Sequence, residues 1–304
     1  MFAWMPGCAR TEPESQGPAE RLKVVATVGM VADLASRIAG DRGTVTTLMG
    51  EGVDPHLYKA SPGDLRLLSQ ADVVLGVGLH LEGRMAESLE QLGRTRRVVL
   101  VGEAIERSHV HHKADDPQQT DPHLWFDVAL WAETVRPIVR ALSEAEPASA
   151  EVFAKRGEEV RTSLLALDTW VRGRLASIPA ERRVVVTAHD AFGYFSRAYG
   201  IEVLAIQGMS TESEASLKDL NRLVDTLVQR RIPAVFVETS VPRKTIEALR
   251  EGCLARGHDV IIGGELFSDA MGAAGTPEGT YEGMVRHNVE TIVRALAPDD
   301  RGAP

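Results

Sequence analysis

Cysteine is nearly absent from this chain, which holds only Cys8 and Cys253 in 304 residues. Two thiols make no disulfide framework, supply no cluster of thiolates to a metal, and do not fix the redox compartment. Cys253 lies in a helical pattern and reads as a buried, inert thiol. Aromatic residues make up 5%, and no cluster of Lys and Arg is interleaved with them. With a net charge of −9 and an isoelectric point near 5.5, nothing is built to neutralise phosphates, so nucleic acid is not an expected partner. No run of about 18 apolar residues occurs, so no segment is long and apolar enough to cross a membrane as a helix. Catalytic signatures are missing too: there is no His-Glu-x-x-His and no Gly-x-x-x-x-Gly-Lys-Ser/Thr loop, which counts against zincin hydrolysis and nucleotide use.

What is present describes a globular chain, 44% hydrophobic and 25% charged, long enough for two domains of ordinary size. Beyond residue 22, short β-branched runs alternate with amphipathic stretches, the pattern of βαβ units and parallel sheets, so the fold class is α/β. Strands are predicted at 23–29, 44–48, 73–77 and 97–101, and again at 184–188, 202–206, 234–238 and 260–263, with helices such as 213–231 and 242–256 between the later ones. Between these halves, 148–177 contains no proline and carries Val152, Phe153, Val160, Leu164, Leu167, Val171 and Leu175 at helical spacing. A helix of that length spans about 40–45 Å, enough to join two lobes, and it bends only slightly, so large hinge closure is not expected. The expected division is a tail at 1–21, an N-terminal lobe at 22–147, the joining helix at 148–177, a C-terminal lobe at 178–298, and a tail at 299–304.

The N-terminal stretch Met1-Phe2-Ala3-Trp4-Met5-Pro6-Gly7-Cys8 reads like the end of a bacterial lipoprotein signal, with Cys8 as the lipidated residue. Its apolar part is shorter than the usual apolar region of about 7–15 residues, as in a truncated signal or a misplaced start.

One short phrase occurs twice, as Asp54-Pro55-His56-Leu57-Tyr58 and Asp121-Pro122-His123-Leu124-Trp125. Proline fixes its own φ and pushes the preceding aspartate toward extended backbone, so each imidazole projects from a stiffened loop with little entropy left to lose on binding. His189 ends a β-branched run and Asp269 follows 261–268, so all four side chains fall beyond the carboxyl ends of strands, where α/β sheets place binding groups. Three neutral imidazoles and one carboxylate form a nitrogen and oxygen set suited to a divalent first-row ion. Imidazole must lose its proton to coordinate, so affinity is expected to fall below about pH 6.5, the unperturbed histidine value.

Other polar residues take lesser roles. Glu238 is the candidate to orient a ligating imidazole, Asp190 to cap the helix after His189, and Asp54 and Asp121 to shape their turns. His80, His258 and His287 are read as lying away from the metal. His109, His111 and His112 form a polar loop suited at most to weak metal collection.

The segments Val186-Thr187-Ala188-His189-Asp190-Ala191-Phe192-Gly193-Tyr194-Phe195 and Gly264-Glu265-Leu266-Phe267-Ser268-Asp269-Ala270-Met271-Gly272, together with both Asp-Pro-His phrases, carry a resemblance. From about Leu22 to Ala297 the chain resembles the TroA-like zinc/manganese solute-binding proteins of ABC transporters. That resemblance implies two lobes joined by a rigid helix, one Zn²⁺ or Mn²⁺ held as cargo by His56, His123, His189 and Asp269, and delivery to a membrane permease. It further implies an extracytoplasmic monomer without enzymatic activity. A metal-dependent hydrolase and a surface adhesin are the competing readings. In that family the third ligand is histidine in some members and glutamate in several manganese-binding ones; this chain has His189, which favours zinc by softness.

Overall fold

The computed structural model describes residues 21–297 apart from 114, 115 and 214, so the lipoprotein-like stretch with Cys8 and the tail at 299–304 lie outside the described residues. The first half opens with β1 (Leu22–Val28), α1 (Gly29–Ala39), β2 (Gly43–Met49), α2 (Pro62–Gln70), β3 (Val73–Gly76), α3 (Ala86–Gly93) and β4 (Val98–Leu100). The four strands make a parallel sheet in the order β2-β1-β3-β4. β3 is buried throughout and β1 is buried except at Lys23, which is why these central strands read as unbroken apolar runs. α2 starts where its sequence says it should: Ser61 and Asp64 cap each other's backbone amides, with Pro62 in the first turn.

The polar loop after β4 folds back as a small antiparallel hairpin, β5 (His112–Lys113) with β6 (Asp116–Thr120). Then come α4 (Val128–Trp131), α5 (Val135–Ala145) and α6 (Ala150–Leu175), the last being the helix that joins the halves. Its 26 residues correspond to about 39 Å. Gly157 lets α5 approach it closely, since a Cβ there would lie 2.4 Å from Val139 Cγ2.

The second half comprises β7 (Val184–His189), α7 (Gly193–Tyr199), β8 (Glu202–Gln207), α8 (Leu217–Arg230), β9 (Ala234–Glu238), α9 (Lys244–Leu254), β10 (Ile261–Leu266) and α10 (Tyr281–Leu296). β7 pairs with β8 and β9 with β10, both in parallel, and β7 lies beside β9, so the arrangement repeats that of the first half. β10 runs three residues beyond the predicted 260–263, because a bulge between Ile262 and Gly264 breaks the alternation that marks a strand. Gly264 has φ +150°, and a Cβ there would come within 2.4 Å of Thr291 Cγ2, so glycine is what allows α10 to lie on the strand. α8 begins at Leu217, later than the predicted 213: Ser216 caps it by accepting from the Asp219 amide, and the residues before it form a loop.

A single apolar cluster runs from the first sheet through α1, α5 and α6 to α10, Phe236 and Leu266, while a second cluster fills the space between β7, β9, α8 and α9. The halves therefore share core side chains as well as the joining helix. Cys253 belongs to the second cluster, and burial pushes its thiol pKa up, as expected of an inert thiol. Among the described residues no helix is long and apolar enough to cross a membrane.

Candidate metal centre

Each Asp-Pro-His phrase makes the same turn. Asp54 Oδ1 accepts from the His56 amide at 2.9 Å, and Asp121 Oδ1 accepts from the His123 amide at 2.9 Å. His56 thus projects from the loop after β2 and His123 from the loop after β6, while His189 is the last residue of β7 and Asp269 sits in the turn after β10. All four are buried, and one ligand atom from each lies within 4.8 Å of the others. His56 Nε2 stands 3.4 Å from His123 Nε2, His123 Nε2 is 3.3 Å from Asp269 Oδ1, and His189 Nε2 is 3.2 Å from Asp269 Oδ2. A tetrahedral ion with bonds of about 2.0–2.1 Å needs edges of about 3.3–3.4 Å, so these separations already have the right size. Asp269 turns a different oxygen to each of two imidazoles, a posture that serves one-oxygen or two-oxygen coordination.

Both Asp269 oxygens, both His189 ring nitrogens and Glu238 Oε2 are buried without a well-aligned hydrogen bond, and their close contacts are imidazole–carboxylate approaches to one another and to His123. A cation among them would give the Asp269 oxygens and the inward Nε2 atoms one common, well-aligned partner.

Outer contacts aim the rings. His123 Nδ1 lies 2.7 Å from Asp121 Oδ1 and His189 Nδ1 lies 2.5 Å from Glu238 Oε2, so in both cases Nε2 faces inward. Glu238 is fixed in turn, its Oε1 accepting from the amides of Ala188 at 2.7 Å and His189 at 3.0 Å. The His56 ring has no such partner at Nδ1 among the described residues.

Charge follows these contacts. Burial depresses the His56 pKa to about 4. Burial also works against charge on His123, but Asp121 and Asp269 outweigh it and raise the pKa to about 9. His189 is likewise pushed well above the ordinary value, because Glu238 and Asp269 overcome burial. Asp269 is held well below the carboxylate range by His189 and His123, again against burial. These shifts favour protons on His123 and His189 and none on His56, beside an ionised Asp269, so a dication entering the centre would compete with protons.

Glu238, Asp54 and Asp121 stand where the sequence suggested. Asp190 does not cap a helix: α7 starts only at Gly193, after Ala191 and Phe192 have turned into the core, and its N-terminus has no side-chain cap. Asp190 is instead half-buried, and burial together with the nearby Asp121 raises its pKa. His80 is exposed, with φ +68°, while His258 and His287 reach the backbone oxygens of Ile232 and Glu265. From the polar loop, His111 leans toward the centre, its amide donating to Tyr194 Oη at 2.9 Å and its Nδ1 lying 3.5 Å from Asp121 Oδ2. No second group of three or more potential ligands is assembled among the described residues.

Several contributing residues are not visible in the pattern. Trp125 Nε1 donates to the carbonyl of Ser268 at 3.0 Å, and Tyr281 Oη donates to the carbonyl of Trp125 at 2.6 Å, tying the loop of His123 to the loop of Asp269. Thr211 Oγ1 donates to Asp54 Oδ2 at 2.6 Å from the opposite lobe. Only Trp125 carried a signal, as the aromatic that closes the second repeat.

Comparison with known proteins bears on what such a centre is for. The family described as the periplasmic zinc-uptake complex component A matches residues 24–295. The chain is 52% identical over 274 residues to the zinc-binding protein TroA of Treponema pallidum, covering 90% of this chain and 88% of that one. It is 48% identical over 290 residues to the manganese-binding lipoprotein MntA of Bacillus subtilis, covering 95% and 94%. The solved structure of the Treponema pallidum protein superposes with a TM-score of 0.89 at 51% identity, covering 91% of this chain and all of that one.

Proposed function

This chain belongs to the family of periplasmic zinc-uptake components, and from that premise we propose that it is an extracytoplasmic solute-binding protein that captures Zn²⁺ or Mn²⁺ and hands it to the permease of an ABC importer. In this reading His56, His123, His189 and Asp269 hold one ion per chain between an N-terminal lobe at 22–147 and a C-terminal lobe at 178–298, with 148–177 as the joining helix. The single observation that supports it most is the convergence of four buried ligand atoms within 4.8 Å, two from each half of the fold.

The protein carries out no chemistry of its own on this view. A catalytic zinc usually keeps three protein ligands and an open position for water, whereas four protein ligands here can close the shell. Anchoring through a lipid on Cys8 and a monomeric state complete the proposal. The relatives set its context: one is named zinc-binding and the other is named a manganese-binding lipoprotein.

Capture requires the ion to lose its water to the four side chains. Asp121 and Glu238 keep the Nε2 atoms of His123 and His189 pointed inward, so little ordering remains to be done. The test is metal content by elemental mass spectrometry after dialysis against buffered Zn²⁺ or Mn²⁺, with His189→Ala as the control. One ion per wild-type chain, lost in the variant, is the expected result; no stoichiometric ion from either buffer would sink the reading.

A further inference from the structure

The four side chains of the centre are not equally secured. His123 is held through its ring by Asp121, and His189 by Glu238. Asp269 follows Ser268, whose carbonyl is fixed by the indole of Trp125. His56 alone has no partner for its second ring nitrogen among the described residues, so its place depends on its backbone turn. That turn is at the surface, since the next residue, Leu57, is 40% exposed. The His56 and His189 ring centroids stand 6.4 Å apart, against 5.5 Å for each of them from His123, so the widest ring-to-ring gap lies between the imidazoles of the two halves that face each other across His123.

The turn is instead held from across the cleft. Asp54 uses Oδ1 to accept from the His56 amide at 2.9 Å and Oδ2 to accept from the Thr211 hydroxyl at 2.6 Å. Thr211 lies between β8 and α8, and its segment is braced from beneath: Gln207 Nε2 donates to the carbonyls of Thr211 at 3.1 Å and Ser213 at 2.5 Å. Gln207 is the β8 partner of His189 in the parallel register. One residue along, Glu212 lies 3.5 Å from Arg84 of the first lobe, an exposed ion pair that adds little strength by itself. The two faces of the centre therefore differ. Behind it the lobes are joined by the buried Trp125 and Tyr281 hydrogen bonds and a shared core. In front, at His56, the contacts among the described residues are one charge-assisted hydrogen bond and a wet ion pair.

We propose that Asp54 and Thr211 form a latch that holds His56 against the ion, making Thr211 a positioning residue that sets how fast the ion leaves. Opening the latch frees the turn of His56 while His123, His189 and Asp269 keep their supports, so the ion passes through a three-ligand state on the His56 side. Release then needs no separation of the lobes along the buried face. The inference rests on the metal-binding reading above and goes beyond it by assigning a route and a rate-setting contact.

The test is Zn²⁺ dissociation into excess chelator, followed by stopped-flow, for wild type, Thr211→Val and Thr211→Ser. Valine keeps the shape and removes the hydroxyl; serine restores it. Thr211→Val should raise the dissociation rate about tenfold or more, the scale of one hydrogen bond to a charged acceptor, while association changes less than about twofold. Thr211→Ser should return to within about threefold of wild type, and apo thermal unfolding should be alike in all three. An unchanged rate in Thr211→Val, or a serine variant as fast as the valine one, overturns the latch while one ion per wild-type chain leaves the metal-binding reading standing. A wild type that holds no ion overturns both.

Discussion

Asp121 grips His123 twice with one oxygen, its Oδ1 accepting from the His123 amide at 2.9 Å and lying 2.7 Å from the His123 ring Nδ1. Backbone and ring are thus fixed to the same atom, so the imidazole cannot swing away from Asp121. Asp54 makes the equivalent backbone contact to His56 but spends its other oxygen on Thr211. The two copies of one sequence phrase have therefore diverged in use: one aspartate holds the ring of its own histidine, the other bonds a hydroxyl of the second half of the chain.

Asp121→Asn separates the charge of that grip from its geometry. The amide oxygen can still accept from the His123 backbone, but it no longer raises the basicity of the ring. Zinc affinity is expected to fall about 10- to 100-fold, the usual effect of removing a partner that orients a metal-bound histidine, with the secondary structure unchanged. Competition against a chelator and far-ultraviolet circular dichroism measure the two quantities. Wild-type affinity in the variant would mean that the turn alone positions His123.

The pH dependence differs from what an unperturbed histidine suggests. With His123 raised to about 9 and His189 well above its ordinary value, both imidazoles carry protons at neutral pH in the metal-free protein, whereas His56, depressed to about 4, does not. Loading one ion at pH 7 should release about two protons, and affinity should climb from about pH 6.5 to about pH 9 rather than level off near 6.5. The sign for the metal-free fold is opposite: the raised His123 pKa contributes stability that is full below about 6.5 and is lost as pH rises through about 9, and His189, raised in the same direction, adds to that trend. The gap between metal-loaded and metal-free melting temperatures should therefore widen with pH across this window. Calorimetric titration in two buffers of different ionisation enthalpy counts the protons; a count near zero at pH 7 would show that the ion does not displace the protons of His123 and His189.

The parts of this centre that were legible in the sequence share one property, namely that local chemistry specifies them. A proline after an aspartate fixes the turns of His56 and His123, a β-branched run fixes the strand that ends at His189, and the strand-end rule places Asp269. Glu238 could be named because it also ends a strand. Thr211 could not, since its role depends on a contact 157 residues away in sequence, and no local pattern records such a pairing. The same limit explains the wrong role for Asp190: a polar residue before a helix suggests a cap, but two apolar residues intervene and the helix starts after them. Strand β10 was read short because Gly263 and Gly264 serve the packing of Phe236, Ala295 and Thr291 rather than the strand's own alternation.

Ion choice can be approached through the same contacts. The 2.5 Å approach of Glu238 Oε2 to the His189 ring suits an imidazole and excludes a second carboxylate, because two negative groups at that distance cannot both stay ionised in a buried site. His189→Glu alone, although it supplies a harder oxygen donor, should therefore lose affinity for Zn²⁺ and Mn²⁺ together. Adding Glu238→Gln removes the repulsion, and the amide oxygen can keep accepting from the amides of Ala188 and His189's replacement at the end of β7. The double variant should regain binding, with the preference for Zn²⁺ over Mn²⁺ reduced at least about tenfold, since exchanging nitrogen for oxygen weakens the softer and stronger-binding ion more. Competition titrations with both ions read the result. Recovery in the single variant would mean that Glu238 leaves its position more easily than its buried hydrogen bonds imply, and a double variant with unaltered preference would place the origin of selectivity in the geometry of the centre instead of its donor atoms.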